Sequence, residues 1–324
     1  MHDTATFHEG ERAMQARAGA LDRLTAIGPR VVRDHMPDQH RELFEKLPTL
    51  VVGSLDAAGQ PWASLLAGPP GFVRTPDERH LRVNARPDAA DPLADALALG
   101  APLGLLGLEP HTRRRNRMNG RVVDDGLEGF TVRVDQSFGN CPQYIQAREP
   151  EWVPHAPGPV QHHGARLIEP ARALLARADT VFIASAAPRA GSDTSPVEPS
   201  QGVDVSHRGG LPGFIHVRDH ADGSVGGEGA SVLTIPDYRG NFFFNTLGNL
   251  LARPQAGLLC VDPDSGDVLQ LAAEASIVWD SPELAATPGA ERLLRLRVVS
   301  HLWRPRALPL RWSAPEFAPQ LAVG

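Results

Sequence analysis

The sequence predicts a mainly β protein with flanking helices, in which one β-rich unit is used twice. Three observations support that prediction. Phe242-Phe243-Phe244 leads through Asn245-Thr246-Leu247-Gly248-Asn249-Leu250-Leu251-Ala252-Arg253-Pro254 into Gly257-Leu258-Leu259-Cys260-Val261, which reads as apolar strand, short helix, apolar strand. A weaker copy of the same order comes earlier: His80-Leu81-Arg82-Val83-Asn84, a helical segment, then Gly104-Leu105-Leu106-Gly107-Leu108. The 31 Gly and 30 Pro among 324 residues make turns frequent, which suits many short strands better than long helices.

At the N-terminus, Glu9 to Lys46 is helical in pattern. Met14, Leu21, Leu24 and Ile27 recur at three- and four-residue spacing, and Gly28-Pro29 is expected to stop the first helix. Pro37 starts a second helix that buries Leu43, Phe44 and Leu47. Both are expected on the outside of the first β unit. That unit opens with a hairpin: Leu50 to Leu55, the turn Asp56 to Pro61, and Trp62 to Leu66. Gly71-Phe72-Val73, Leu81 to Val83, Leu103 to Leu108, Arg121 to Val123 and Phe130 to Val134 follow as strands, with Asp91 to Leu99 read as a helix. Pro150 to Gly164 is rich in Pro and His and reads as a linker. Ala165 to Ala178 is helical, and Thr180 to Ser185 begins the second unit.

Matching positions recur in the same order: Thr49 with Thr180, Gly71-Phe72-Val73 with Gly213-Phe214-Ile215, Asn84 with Asn245, Gly104 with Gly257, and Gly120 with Ala273. Only the loops between them change length, as surface loops tolerate. The expected organisation is a helical segment at 1–48, a first unit at 49–149, a linker at 150–164, a second unit with the ligand site at 165–282, and an extension at 283–324.

Bulk properties remove several functions. The formal net charge of -6 argues against a general binder of nucleic acid or anionic membranes. Two distant cysteines, Cys141 and Cys260, exclude a disulfide framework and a zinc ribbon. Met1 to Glu11 lacks the apolar core of a signal peptide, and no run reaches the roughly 18 apolar residues of a membrane span. A soluble cytoplasmic protein is expected. His155, His162 and His163 have no acidic or cysteine partner at metal spacing, so no metal is expected.

Two segments carry the chemistry. At Asn245-Thr246-Leu247-Gly248-Asn249 a helix starts directly after an apolar segment. Its free amides and dipole form an anion site, unless Asn245 or Thr246 only caps a structural helix. Ser206-His207-Arg208-Gly209-Gly210 sets hydroxyl, imidazole and guanidinium donors beside two glycines, an arrangement suited to a phosphate; the alternative is a polar loop. Ser206 and His207 are neighbours on an extended segment and so point to opposite faces. Arg113-Arg114-Arg115-Asn116-Arg117 is the densest positive patch. It reads as a solvated strand and turn or as a site for a phosphorylated substrate or nicotinamide cofactor.

The order of Ser206-His207-Arg208-Gly209-Gly210 on a hairpin return, the Phe-rich segment, Asn245-Thr246-x-x-Asn249-Leu250-x-x-Arg253-Pro254 and an apolar strand resembles the flavin-binding split barrels of the pyridoxamine 5'-phosphate oxidase-like superfamily. Arg253-Pro254 stands at that superfamily's Asn-Pro or similar dipeptide. Thr246 replaces its usual Lys, which shifts load to Arg208 and His207. His8-Glu9-Gly10-Glu11, Met36 to His40, Glu109 to Gly120 and Phe138 to Ile145 resemble the leading region of bacterial proteins that fuse such a barrel pair to a ferredoxin reductase and a 2Fe-2S ferredoxin. No iron-sulfur cysteine set follows Trp312, so this chain resembles the barrel portion alone.

The resemblance implies two tandem split β-barrels of the FMN-binding type, forming an internal pseudo-dimer with the flavin at their interface. Ser206, His207, Arg208, Gly209, Asn245, Thr246 and Asn249 would hold the phosphate and ribityl chain. Asn140, Gln143 and Tyr144 would form a wall near the isoalloxazine. The implied function is an FMN-binding flavoprotein and oxidoreductase, with no residue standing out as an obligatory proton donor. The alternative is a flavin, haem or deazaflavin module for electron transfer or sensing beside a separate reductase. A third reading keeps the fold and loses the cofactor. Implied partners are a small-molecule substrate or an electron donor such as NADH, NADPH or a ferredoxin reductase, and a homodimer is compatible.

Overall fold

The computed structural model describes residues 6–187, 198–220 and 229–321. Three helices lead: α1 (Glu9–Arg17), α2 (Leu21–Val31) and α3 (Asp38–Lys46). The first set of strands is β1 (Thr49–Leu55), β2 (Pro61–Ala67), β3 (Val73–Asp77), β4 (His80–Val83), β5 (Pro102–Glu109), β6 (Arg114–Gly126) and β7 (Gly129–Gly139). Short strands β8 (Pro150–Trp152) and β9 (Gln161–His163) and helix α4 (Glu169–Arg177) follow. Then come β10 (Thr180–Ala186), β11 (Val203–Gly209), β12 (His216–His220), β13 (Ala230–Tyr238), α5 (Asn245–Ala252), β14 (Gln255–Val261), β15 (Val268–Val278), α6 (Pro282–Ala285), β16 (Ala290–Arg304) and β17 (Leu310–Trp312).

The strands form two large antiparallel sheets. The first runs β2-β1-β5-β6-β7-β4-β3, and the second runs β11-β10-β14-β15-β16-β13-β12, with β9 added against β16. Taken in chain order within each sheet, the two paths are the same. Each sheet closes over its own apolar core. In the first, Leu50, Val52, Leu81, Val83, Phe130 and Val132 meet Leu43 and Phe44 of α3. In the second, Val181, Ile183, Leu258, Leu271, Leu294 and Leu296 meet Leu174 and Leu175 of α4 and Leu247 and Leu250 of α5. A third cluster joins the sheets through Val51, Ala63, Leu106, Phe182, Ala184, Val205 and Leu259.

Two glycines fix how close the sheets come. A Cβ on Gly104 would lie 2.6 Å from the Val203 carbonyl oxygen of β11. A Cβ on Gly257 would lie 2.4 Å from the Pro61 carbonyl oxygen of β2. Both contacts are backbone on backbone, so no side-chain rotation could make room for a larger residue.

Several expectations are corrected. Phe242-Phe243-Phe244 is a bend and no strand, because Phe242 and Phe244 take left-handed backbone angles, φ 66° and 62°. The bend sends Phe243 inward between Phe7 and Phe138, with ring centroids 5.4 and 5.7 Å away, while Phe242 and Phe244 stay half-buried. Asp91 to Leu99 holds only a 3-10 turn at Pro92–Asp95, whose first amide is met by Asp91. The first helix ends at Arg17 before Gly19 (φ 65°), and Pro29 sits inside α2. α1 docks on α5 of the second unit, with Met14 in that unit's core, and not on the first unit. The extension expected from residue 283 contains β16, which lies between β15 and β13, so the second sheet needs residues up to Arg304. The linker supplies β8, paired with β17, and β9.

Candidate functional site

A narrow polar cleft opens where β6 and the end of β7 face β11 and the start of α5. From the first sheet come Arg115, Arg117, Asn140 and Cys141. From the second come Ser206, His207, Arg208, Asp237, Asn245 and Thr246, with Tyr238, Phe242, Phe244, Glu291 and Arg292 around them. Its interior volume is about 80 Å³.

Strand geometry places the cations. Alternate residues of β6 share a face, so Arg115 and Arg117 both reach the cleft. Arg117 is buried at 7 % exposure. It donates to the Asn245 Oδ1 at 3.0 Å and to the Ser206 hydroxyl, and it pairs with Asp204 at 3.4 Å. Ser206 and Thr246 hydroxyls lie 2.6 Å apart. Arg115 donates to the Cys141 carbonyl and to His207 Nδ1, each at 2.9 Å. Among the described residues no carboxylate forms an ion pair with Arg115. Arg208 pairs with Asp237 at 3.3 Å, and Asp237 also takes Arg292 at 2.7 Å.

The electrostatics follow from this. Burial lowers Arg115 to about 9, and the cations Arg117 and Arg208 add to the effect. Burial likewise lowers Arg117 to about 10, against the opposing pull of Asp204. Both guanidiniums remain charged at neutral pH, so the cleft carries positive charge that an anion would relieve. His207 is held well below the usual histidine range, first by burial and then by Arg115 and Arg208, and is neutral.

The sequence-derived residues divide. Ser206, His207, Arg208, Asn245, Thr246 and Asn140 line the cleft. Asn249, Gly209, Gln143 and Tyr144 do not. Asn249, one turn beyond Asn245 on the same face of α5, is fully buried behind the cleft, where its amide donates to Ser185 at 3.1 Å and Asp204 at 2.9 Å, and its carbonyl meets His8 Nε2 at 2.8 Å. Gly209 serves packing, since a Cβ there would lie 2.0 Å from the Tyr144 carbonyl oxygen. Tyr144 spends its ring on Tyr238, stacked at 5.1 Å and 22°, and its hydroxyl on the Arg239 carbonyl. Neither Asn245 nor Thr246 caps α5; the cap position is the left-handed Phe244, without a side-chain bond.

Sequence reasoning left Arg115 and Arg117 open between a solvated strand and an anion site and did not assign them to the flavin site, and it missed Glu11 and His8. The signal for the arginines was available in their two-residue spacing on a strand. Glu11 lies against α5, where it accepts from the Asn245 amide and from His8 N at 2.8 Å. Burial, and then Asp204, raise its carboxyl well above the usual range. Among the described residues no group of His, Cys, Asp and Glu is placed to hold a metal, and no helix is long and apolar enough to cross a membrane.

Residues 36–154 match the family model described as pyridoxamine 5'-phosphate oxidase. No curated protein sequence matches the chain. Among solved structures, a presumed pyridoxamine 5'-phosphate oxidase from Lactobacillus delbrueckii is 15% identical, with 42% of this chain and 93% of that chain covered at a TM-score of 0.30. An FAD-binding protein from Mesorhizobium loti is 10% identical, covering 45% and 97% at 0.26. A haem storage protein from Vibrio cholerae is 12% identical, covering 47% and 97% at 0.23. The family likeness is thus carried by residues 36–154, the segment that holds the first sheet, which is similar to the pyridoxamine 5'-phosphate oxidase family.

Proposed function

We propose that the chain is an FMN-binding flavoprotein with oxidoreductase chemistry, in which two tandem split barrels form an internal pseudo-dimer and share one cofactor site. The observation that carries this reading is the cleft between the sheets, where Arg115 has no carboxylate partner among the described residues beside the Ser206 and Thr246 hydroxyls. The equal strand order of the two sheets and the matched contacts at Gly104 and Gly257 support the pseudo-dimer. On this reading the first barrel spans 49–149, and the second runs from 165 through β16.

The residues fit the phosphate end of FMN. Arg117 Nε and Asn140 Nδ2 are buried with no hydrogen-bond partner among the described residues, and both line the cleft. The volume of about 80 Å³ suits a phosphate group and not a three-ring system. Arg115 and Arg117 would hold the phosphate by charge-assisted bonds, with Ser206 and Thr246 donating their hydroxyl protons. Arg208 is already shared with Asp237 and contributes less. Bound flavin would supply the electron-transfer chemistry. The protein's part is to anchor the anion and to position Asn140 beside it.

The absorption spectrum of the purified protein tests this reading. Flavin bands, or their appearance after FMN is added to colourless protein, are expected. A Soret band would favour a haem module instead, and protein that stays colourless with excess FMN would favour a lost site.

A further inference from the structure

A second cavity, of about 410 Å³, shares only Leu106 and His207 with the anion cleft. It lies between the two sheets and is lined by residues at matching registers: Val51 with Phe182, Leu65 with His207, and Leu108 with Val261. Val51 stands opposite Leu65 in one hairpin, as Phe182 stands opposite His207 in the other. Five of these six are apolar, and the sixth is a histidine where the other sheet has leucine.

That histidine is the informative group. Arg115 donates to its Nδ1, so the neutral ring carries its proton on Nε2. Nε2 is buried and has no partner among the described residues. The ring is 5 % exposed and meets Phe182 edge-on at 5.8 Å. A buried donor without an acceptor is costly, and native interiors rarely keep one. Leucine would fill the position as Leu65 does, without that cost. The charged residues around the cavity favour an uncharged occupant. Arg148 pairs with Asp179 at 2.8 Å and Arg177 with Asp262 at 2.6 Å, while Asp264 disfavours an anion.

We propose that this cavity binds a small uncharged aromatic molecule whose carbonyl oxygen or ring nitrogen accepts the Nε2 proton of His207. The site adjoins the proposed phosphate anchor through Leu106 and His207, and the proposal does not depend on that reading. The lining supplies apolar walls from both sheets, and His207 supplies orientation.

The test uses the neutral naphthyl ketone 6-propionyl-2-dimethylaminonaphthalene, whose emission reports both polarity and hydrogen-bond donation to its carbonyl. Saturable binding to the full chain is expected, with emission shifted as for a hydrogen-bonded carbonyl, and excess FMN should not displace it. His207→Leu should bind about tenfold more weakly and lose the shift. Val261→Phe, which fills the cavity, should abolish binding. Affinity unchanged from that of the unmodified chain in both variants, or no saturable binding to the unmodified chain, would overturn the proposal. Should either variant fail to fold by circular dichroism, methyl NMR of the unmodified chain decides. Probe-induced shifts confined to the lining methyls of Val51, Leu65, Leu106, Leu108, Leu174 and Val261 support the site, and shifts only at methyls outside the lining, or none, overturn it.

Discussion

Arg117 and Gln270 hold matching places in the two sheets. Arg117 of β6 stands opposite Leu106 of β5, and Gln270 of β15 stands opposite Leu259 of β14. Ser206 and Ser64 match in the same way, opposite Ile183 and Val52. Around Arg117 there is an open cleft. Around Gln270 the space is filled: its amide donates to the Ala63 carbonyl at 3.0 Å and to Ser64 at 3.1 Å, and Arg304 donates to Asp91 and to the Gln270 carbonyl. Asp91 acts as a built-in anion, compensating the Arg304 cation from within the chain.

The first prediction is therefore one FMN per chain, not two. Titration followed by flavin fluorescence quenching should give a stoichiometry of one. A value of two would mean that the Asp91 network opens.

Breaking that network should cost stability. Asp91→Ala leaves buried Arg304 with only the exposed Asp88 at 3.8 Å as a carboxylate partner, and breaking such a buried pair is typically worth about 3–5 kcal/mol. It also removes the acceptor for the Leu93 amide. Asp91→Asn keeps a hydrogen-bonding carbonyl and should cost less. Urea unfolding of both variants gives the comparison; equal, small losses would show that the pair contributes little.

The contact between the sheets admits no side chain at Gly104 or Gly257. Alanine at either position should destabilise by about 1–3 kcal/mol or more, because the clash is with a backbone carbonyl oxygen that cannot rotate away. Gly100→Ala, at a turn with open space around it, would suffer only from its positive φ of 82° and should cost less. Thermal melts of the three variants check the order.

His40 makes stability depend on pH. The ring, bonded to the Ser137 hydroxyl at 2.9 Å, is lowered from 6.5 to about 4, by burial first and then by Arg33 and Arg114. The folded state thus favours the neutral ring. Its contribution is complete above about 6.5 and is lost as pH falls from there toward 4, reaching about 3 kcal/mol at most. His40→Gln should flatten the decline in melting temperature over that window. An unchanged decline would place the acid sensitivity elsewhere.

Much of this fold was legible in the sequence. The hairpins Thr49 to Ala67 and Thr180 to Gly209 show in their apolar runs and turn residues, and the family resemblance set them in order. The Phe242 bend was hidden because three consecutive aromatics read as strand, and nothing local reveals two left-handed residues among them. The strand Ala290 to Arg304 was hidden by its arginines, which point to solvent or pair with Asp237, Glu283 and Glu274. At the site, alternation on a strand could have revealed Arg115 and Arg117. The fate of Asn249 could not be read, since its partner His8 comes from the opposite end of the chain.

The central claim is that the cleft holds a phosphate through Arg115 and Arg117. Comparing FMN with riboflavin by calorimetry, in the unmodified chain and in Arg115→Ala, tests it most directly. FMN should bind at least about tenfold more tightly than riboflavin, as one charge-assisted bond implies, and Arg115→Ala should shrink that gap by about tenfold while leaving riboflavin unchanged. Equal affinity for the two flavins in the unmodified chain would contradict the claim.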